Sequence, residues 1–256
     1  MTTQRSPLAR LVRGLAAMVL LSLVVTGARP TLASPSSDGP LAATFQAHGG
    51  LDRWQAQRSF SYVLEGFPLS PQVAKRNRST VDLRNRYNRI EGDGFVVGWD
   101  GEQAWADPGP DAVGLPPRFF ALGSFYFIGM PFVFGDDGVV LQEKGYGTFD
   151  GKTYRVIDVR YAGETGHSSE DQYTLFIDPE TNRLALINHS VTEIGIERVT
   201  WVFDEWQQVN GFIVPARMTF HQGWNPENPG DGATFTITDV TFDAIAPDRA
   251  IYAQPD

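Results

Sequence analysis

From Ser59 onward the chain sets apolar positions in alternation, the period-two signature of half-buried strands. Phe60, Tyr62 and Leu64 form the first set. Val81, Leu83 and Tyr87 form a second, with Arg84 and Arg86 on the opposite strand face, and Phe95, Val97 and Trp99 a third. An Asp100-Gly101 turn leads to a short strand about Trp105. Ile157, Val159 and Tyr161 open a long meander, and Tyr173, Leu175 and Ile177 continue it to a turn at Asp178-Pro179-Glu180-Thr181-Asn182. Residues 183–194 and 198–209 are the next strands. Asn210-Gly211 is a strong two-residue hairpin signal. Phe212, Val214, Met218 and Phe220 follow it. Phe235, Ile237, Val240 and Phe242 close the chain, and the slip of parity near Asp239 predicts a bulge.

Two stretches break this rhythm. Residues 41–57 read as helix, with Gly49-Gly50 splitting them into two short helices or one kinked helix. Residues 117–134 carry seven aromatics in 18 positions, and no charge falls from Phe119 through Gly135. Pro116-Pro117 suits a helix start and Pro131 its end. A segment apolar all round demands burial on more than one side. The pattern therefore predicts an α+β protein: about ten or eleven antiparallel strands, an N-terminal helix and a mid-chain apolar helix. With no βαβ rhythm, a closed barrel, a strongly curled half-barrel and a sandwich all fit.

The N-terminus has a different character. Arg5, Arg10 and Arg13 precede an uncharged run from Leu15 to Val25, and Thr31-Leu32-Ala33 offers small residues for cleavage before Ser34. Residues 1–33 thus read as a secretory signal peptide, too short in its apolar run to be a stable membrane anchor. Residues 34–40 form a polar Ser/Pro/Gly leader, and residues 41–256 a single domain in the periplasm or outside the cell. Removing the first 33 residues takes away four Arg and no acid, leaving 17 basic against 30 acidic residues, a net charge of −13. Such a balance argues against nucleic-acid binding. Without cysteine there is neither a disulfide framework nor a thiolate site.

Catalytic and metal chemistry find little support. His48, His167, His189 and His221 are the only histidines. His167-x-x-Glu170 and His189-x-x-x-Glu193 alone approach a ligand spacing, which in strands is too long to chelate. His48, before two glycines, reads as a helix C-terminal residue facing the dipole. No Gly-x-Ser-x-Gly elbow and no phosphate-binding loop occurs. Glu164, Glu170 and Asp171, among Gly163 and Gly166, read as a solvated hairpin loop. No cofactor, metal or catalytic residue is expected. One charge feature is unusual: Lys75, Arg76, Arg78, Arg84, Arg86 and Arg89 fall within 15 positions. Cross-strand pairing with acids accounts for such a strip. The alternative is an anion patch at Arg84 and Arg86 for an anionic partner, through the planar guanidinium fork.

The order of parts resembles the bacterial lipoprotein-carrier superfamily, the LolA/LolB-like fold, and more closely an uncharacterised exported family within that group. The stretches that carry the resemblance are Ala47-His48-Gly49-Gly50 with Trp54, Asp82-Leu83-Arg84-Asn85-Arg86-Tyr87, Val97-Gly98-Trp99-Asp100-Gly101, Pro117-Arg118-Phe119-Phe120, Met130-Pro131-Phe132-Val133, residues 173–181 and Val209-Asn210-Gly211. The resemblance implies an incomplete β-barrel wrapped round helices, with an apolar cavity and no catalytic centre. Residues 117–134 are then expected on the concave face, as a plug or lid over the cavity or, alternatively, as a plain core helix; both bury the aromatics. The cavity is then lined by Phe119, Phe120, Phe127, Ile128, Phe134, Tyr173, Leu175, Ile177 and Trp201. The implied function is a non-catalytic carrier of a lipid, a lipoprotein acyl chain or another apolar small molecule. A binding or sensing module with a side-chain-filled core, and a hydrolase using surface carboxylates, are the alternatives.

Overall fold

Two glycines decide how the N-terminal helical stretch is divided. Gly49 and Gly50 have φ of 114° and 95°, in the left-handed region that only glycine enters freely. α1 (Ala42–Ala47) therefore stops, and α2 (Leu51–Gln55) starts in a new direction. A Cβ on Gly49 would stand 2.6 Å from the Gly211 carbonyl oxygen, so the glycine also permits close approach to a strand hairpin. His48, the residue that closes α1, is buried instead of facing solvent. Its Nδ1 donates to the Ile213 carbonyl at 2.9 Å, while its Nε2 accepts from the Leu184 N–H at 3.2 Å. These partners fix the neutral tautomer, and burial pushes the imidazole pKa down to about 4.

The computed structural model describes residues 39–162, 170–192 and 195–255, all within one compact unit, Leu32–Asp256. The signal-peptide pattern, most of the leader, Glu164, His167 and Glu193 lie outside the described residues. Twelve antiparallel strands make one sheet: β1 (Ser59–Glu65), β2 (Asn77–Asp82), β3 (Asn88–Gly92), β4 (Phe95–Trp99), β5 (Ala104–Asp107), β6 (Val139–Phe149), β7 (Lys152–Tyr161), β8 (Tyr173–Ile177), β9 (Leu184–Val191), β10 (Ile196–Val209), β11 (Phe212–Gln222) and β12 (Ala233–Asp243). Their spatial order is β5-β4-β3-β2-β1-β12-β11-β10-β9-β8-β7-β6. Chain neighbours thus pair as hairpins, except that β1 closes onto β12 and the β5–β6 connection carries α3 (Pro117–Ile128).

The expected turns hold. Val209 faces Phe212 across Asn210 (φ 48°) and Gly211 (φ 77°), a type I′ hairpin. Asp178 Oδ1 accepts from the Glu180 and Thr181 N–H groups, and Asp100 Oδ1 does the same for Glu102 and Gln103. The bulge falls at Asp239 (φ 50°), where β12 gains a residue over β1.

The strand count exceeds the expected ten or eleven, for two reasons. β6 has a mostly exposed middle, from Gln142 to Gly147, so its apolar signal is weak. The set Val81, Leu83 and Tyr87, expected on one strand, is cut by a turn between β2 and β3. Asp82 Oδ1 accepts from the Arg84 and Asn85 N–H groups at 2.9 Å each, and Arg86 takes φ of 60°. Arg84 and Arg86 consequently lie on a side-chain-capped turn and not on a shared strand face. The Asx-type capping by Asp82 overrides the strand propensity around it.

α3 begins with Pro117 in its first turn and is followed by a 3-10 turn, Phe132–Gly135. Its side chains meet strands from distant parts of the sheet order. Phe120 lies against Phe95 of β4, with ring centroids 6.3 Å apart, and Phe125 against Phe60 of β1 at 6.4 Å. Phe127 stacks on Trp201 of β10 at 4.5 Å, and Tyr126 packs on Tyr173 of β8 at 5.7 Å. Asn88 Nδ2 donates to the Ala121 carbonyl at 2.6 Å, tying the middle of α3 to β3. The main hydrophobic core is continuous through these residues; a second, smaller cluster joins Phe149, Val156, Phe176 and Leu186.

Candidate ligand cleft

α3 presents Arg118, Leu122, Phe125 and Tyr126 along one side, positions i, i+4, i+7 and i+8 of a helical face. That face is the floor of a cleft of about 360 Å³. One wall comes from Asn85 and Arg86 of the β2–β3 turn and from Trp99 and Gly101 at the end of β4. The other comes from Val133 and Asp136 after α3, Val139 of β6 and Tyr161 of β7. Strands near the two margins of the sheet order therefore contribute to one opening.

The electrostatics of the cleft centre on one ion pair. Arg86 Nη2 donates to both Asp136 carboxylate oxygens, at 2.5 and 2.6 Å, and its guanidinium carbon stands 5.1 Å from the Phe125 ring centroid. Burial pushes the Asp136 carboxyl pKa up, and the nearby Arg86 charge offsets part of that rise. Arg118 sits over the Trp99 ring at 5.8 Å. The Tyr126 and Tyr161 hydroxyls hydrogen-bond to each other, and burial holds both phenols above their ordinary range. The groups facing the cleft are thus arginines, a carboxylate already engaged by Arg86, and protonated phenols.

The residues expected to line a cavity are all buried: Phe119, Phe120, Phe127, Ile128, Phe134, Tyr173, Leu175, Ile177 and Trp201. They occupy the other sides of α3 and the strands beneath it. Beside Phe119, Phe127 and Tyr173 only about 10 Å³ is left, roughly the space of one water. There His189 stacks on Tyr173 with centroids 4.8 Å apart and rings 3° from parallel. The open volume lies on the Arg118–Leu122–Phe125 side of the same helix. Leu122, Phe125, Tyr126, Trp99, Val133, Asp136, Val139 and Tyr161 escaped the sequence reading as site residues. The single charge at the head of an otherwise apolar helix, Arg118, four residues before Leu122, is the sequence signal that could have marked this face.

Of the two expected anion-patch residues, Arg86 reaches the cleft and Arg84 lines an adjoining polar hollow with Asp137 and Gln57. The rest of the basic run is neutralised by acids: Lys75 by Asp93, Arg76 and Arg78 by Asp239, and Arg89 by Glu91. Asp171, expected in a solvated loop, is buried and accepts from the Thr192 N–H at 2.8 Å and from its hydroxyl. No cluster of three or more His, Cys, Asp or Glu side chains suited to a metal occurs among the described residues. Among them, too, no helix is long and apolar enough to cross a membrane.

Fold and cleft together define an open antiparallel-sheet protein with a buried helix and a mostly apolar opening beside it. No family model matches the chain, and no curated protein matches it. Among solved structures it is similar to a DUF1329 family protein from Desulfovibrio piger, at 12% identity and a TM-score of 0.46, over 83% of this chain and 97% of that one. It is also similar to a LolA superfamily protein from Nitrosomonas europaea, at 9% identity and a TM-score of 0.39, over 77% and 89%. A third is an outer membrane lipoprotein-sorting protein domain from Vibrio parahaemolyticus, at 12% identity and a TM-score of 0.40, over 82% and 95%. One of these neighbours carries the name of the superfamily that the sequence resembles.

Proposed function

We propose that this is an exported, non-catalytic binding protein that carries an apolar ligand, a lipid or acyl chain, in the cleft beside α3. The observation that carries the reading is the cleft itself: about 360 Å³ of space walled largely by Leu122, Phe125, Tyr126, Val133, Val139 and Trp99. That volume lies at the lower end of the range for small-molecule sites. Burying an acyl chain there is favourable by roughly 0.8 kcal/mol per CH2.

The architecture behind the cleft is inferred to be a strongly curled sheet. Twelve flat strands would span about 55 Å, whereas a helix of 12 residues is about 18 Å long. Yet α3 touches β1, β4, β8 and β10, and the cleft beside it draws on both β4 and β6. A sheet bent round the helix satisfies all of these contacts. Export rests on the tripartite pattern of residues 1–33. The non-catalytic reading rests on the Arg86–Asp136 pair and the raised phenols, which leave the cleft without a free base or an activated nucleophile.

A second reading, a sensing module with a filled core, is favoured by the tight packing about Phe127, Tyr173 and His189. Purifying the protein from its native compartment and extracting it for lipid mass spectrometry separates the two. A carrier yields stoichiometric lipid and takes up a fluorescent fatty acid. Recovery of no lipid, with no uptake of the probe, would sink the carrier reading and leave the filled module.

A further inference from the structure

We propose that the cleft selects single-chain amphiphiles with an oxyanion headgroup, a carboxylate or phosphate seated on Arg86, in preference to neutral apolar molecules. The inference rests on the apolar-ligand reading and adds the chemical class. Its first support is an imbalance within one side chain. Both Asp136 oxygens take their hydrogen bonds from Nη2 of Arg86, whereas Nη1 is buried and has no hydrogen-bond partner. A guanidinium has two edges able to grip oxyanions, and here one edge is occupied while the other remains unmatched. Nη1 is sealed from solvent, so the guanidinium must turn to bring it to a ligand oxygen; that turn would match a donor whose unpaired burial is costly.

The second support is placement. Arg86 is held at φ of 60° on a turn capped by Asp82, so its position is set by the backbone and not by a flexible strand end. Phe125 lies against its guanidinium, and the apolar floor starts at that ring. A headgroup on Arg86 would therefore lay its chain along Leu122, Phe125 and Val133. The third support is the company Arg86 keeps: two arginines and one aspartate are the charged residues of the cleft, in a chain whose net charge is −9. Asp136 already holds Nη2 through both carboxylate oxygens, so a ligand oxyanion would share the guanidinium with it. The cleft's modest volume restricts the apolar portion to one chain.

Calorimetric titration of the full chain with laurate, with dodecanol and with inorganic phosphate tests this, each amphiphile kept below its aggregation concentration. Laurate is expected to bind at least tenfold more tightly than dodecanol, and phosphate alone not measurably. Arg86→Gln should bring laurate down to the dodecanol level, and Asp136→Asn should tighten laurate while leaving dodecanol unchanged. Circular dichroism shows whether each variant is folded; should either fail, the wild-type comparison of laurate with dodecanol decides. Equal affinity for laurate and dodecanol would overturn the headgroup proposal and leave the apolar-ligand reading standing. Phosphate binding as tightly as laurate would overturn it in favour of a free-oxyanion site. Binding of neither amphiphile would remove both readings.

Discussion

Trp201 donates its indole N–H to Nε2 of His189 across 3.0 Å, deep beneath α3. The bond dictates the imidazole's state. Since Nε2 accepts, Nδ1 carries the proton and donates to the Ser190 carbonyl at 2.7 Å. A second proton would require Nε2 to turn from acceptor to donor against an indole that can only donate. Burial then pushes the His189 pKa down to about 4.

A pH dependence follows from the two buried histidines. His48 and His189 have folded pKa values of about 4 against an ordinary 6.5. Between those values the unfolded chain binds protons that the folded chain refuses, so stability falls as pH falls. Asp136, whose carboxyl is pushed up, acts in the opposite sense but is one group against two. Urea denaturation should show a loss of a few kcal/mol between pH 7 and pH 4.5. A midpoint unchanged over that interval would contradict the neutral, buried state of both rings.

Two faces of α3 should respond differently to truncation. Phe127→Ala removes a ring stacked 4.5 Å from Trp201 in a site with almost no void, and should cost about 3–5 kcal/mol. Phe127→Asp should not fold. Leu122→Ala, on the partly exposed cleft face, should cost under about 2 kcal/mol, because water and the cleft already border that side chain. Thermal melts of the two alanine variants provide the comparison. Equal losses would show that the helix has no privileged buried side.

Glycine positions give a sharper test of the helix-to-hairpin approach. Gly49→Ala meets both a φ of 114° and a Gly211 oxygen 2.6 Å from the new Cβ. Gly94→Ala, at φ of 83° with nothing within 4 Å, meets the backbone strain alone. The first should lose well over 1 kcal/mol and the second about 1 kcal/mol, read from denaturation midpoints.

Within the basic run, Arg84 and Arg86 should part company. Arg84→Gln should stay within about 0.5 kcal/mol of the parent, since its side chain is exposed and has no ion-pair partner among the described residues. Arg86→Gln gives up charge-assisted bonds to Asp136 and the Phe125 contact, and should cost about 1–3 kcal/mol. Reversal of that order would mean that the Arg86–Asp136 pair contributes nothing to folding.

The strands and turns were legible where local chemistry and tertiary demand agree. Asn210-Gly211, Asp178 to Asn182 and the parity slip at Asp239 each impose a backbone geometry that nothing else in the fold contests. The apolar density of residues 117–134 foretold the buried helix. What escaped had two causes, one local and one distant. Leu83 and Tyr87 continue the alternation of Val81, and only the capping of the intervening turn by Asp82 separates β2 from β3. The cleft was hidden by separation along the chain. Arg86 and Asp136 are 50 positions apart and meet only in the folded chain. An aromatic helix, moreover, does not announce which of its sides will be filled by neighbours. Phe127 found Trp201, whereas Leu122 was left facing an opening.

The strand order also bears on how copies of this chain meet. β5 and β6 are the terminal strands of the sheet, and among the described residues each leaves a row of main-chain donors and acceptors without a neighbouring strand. β5 is four residues long and runs straight into Pro108, which lacks an N–H to offer. β6 is longer, but its pairing with β7 shifts register at Lys144, and exposed Glu143 and Lys144 bring charge to that irregular point. Neither margin offers a long, flat, uncharged run on which a foreign strand could grow. The protein can thus keep its sheet open along two sides, as a cleft between them requires, without inviting the fibrous self-association that open sheets risk at high concentration.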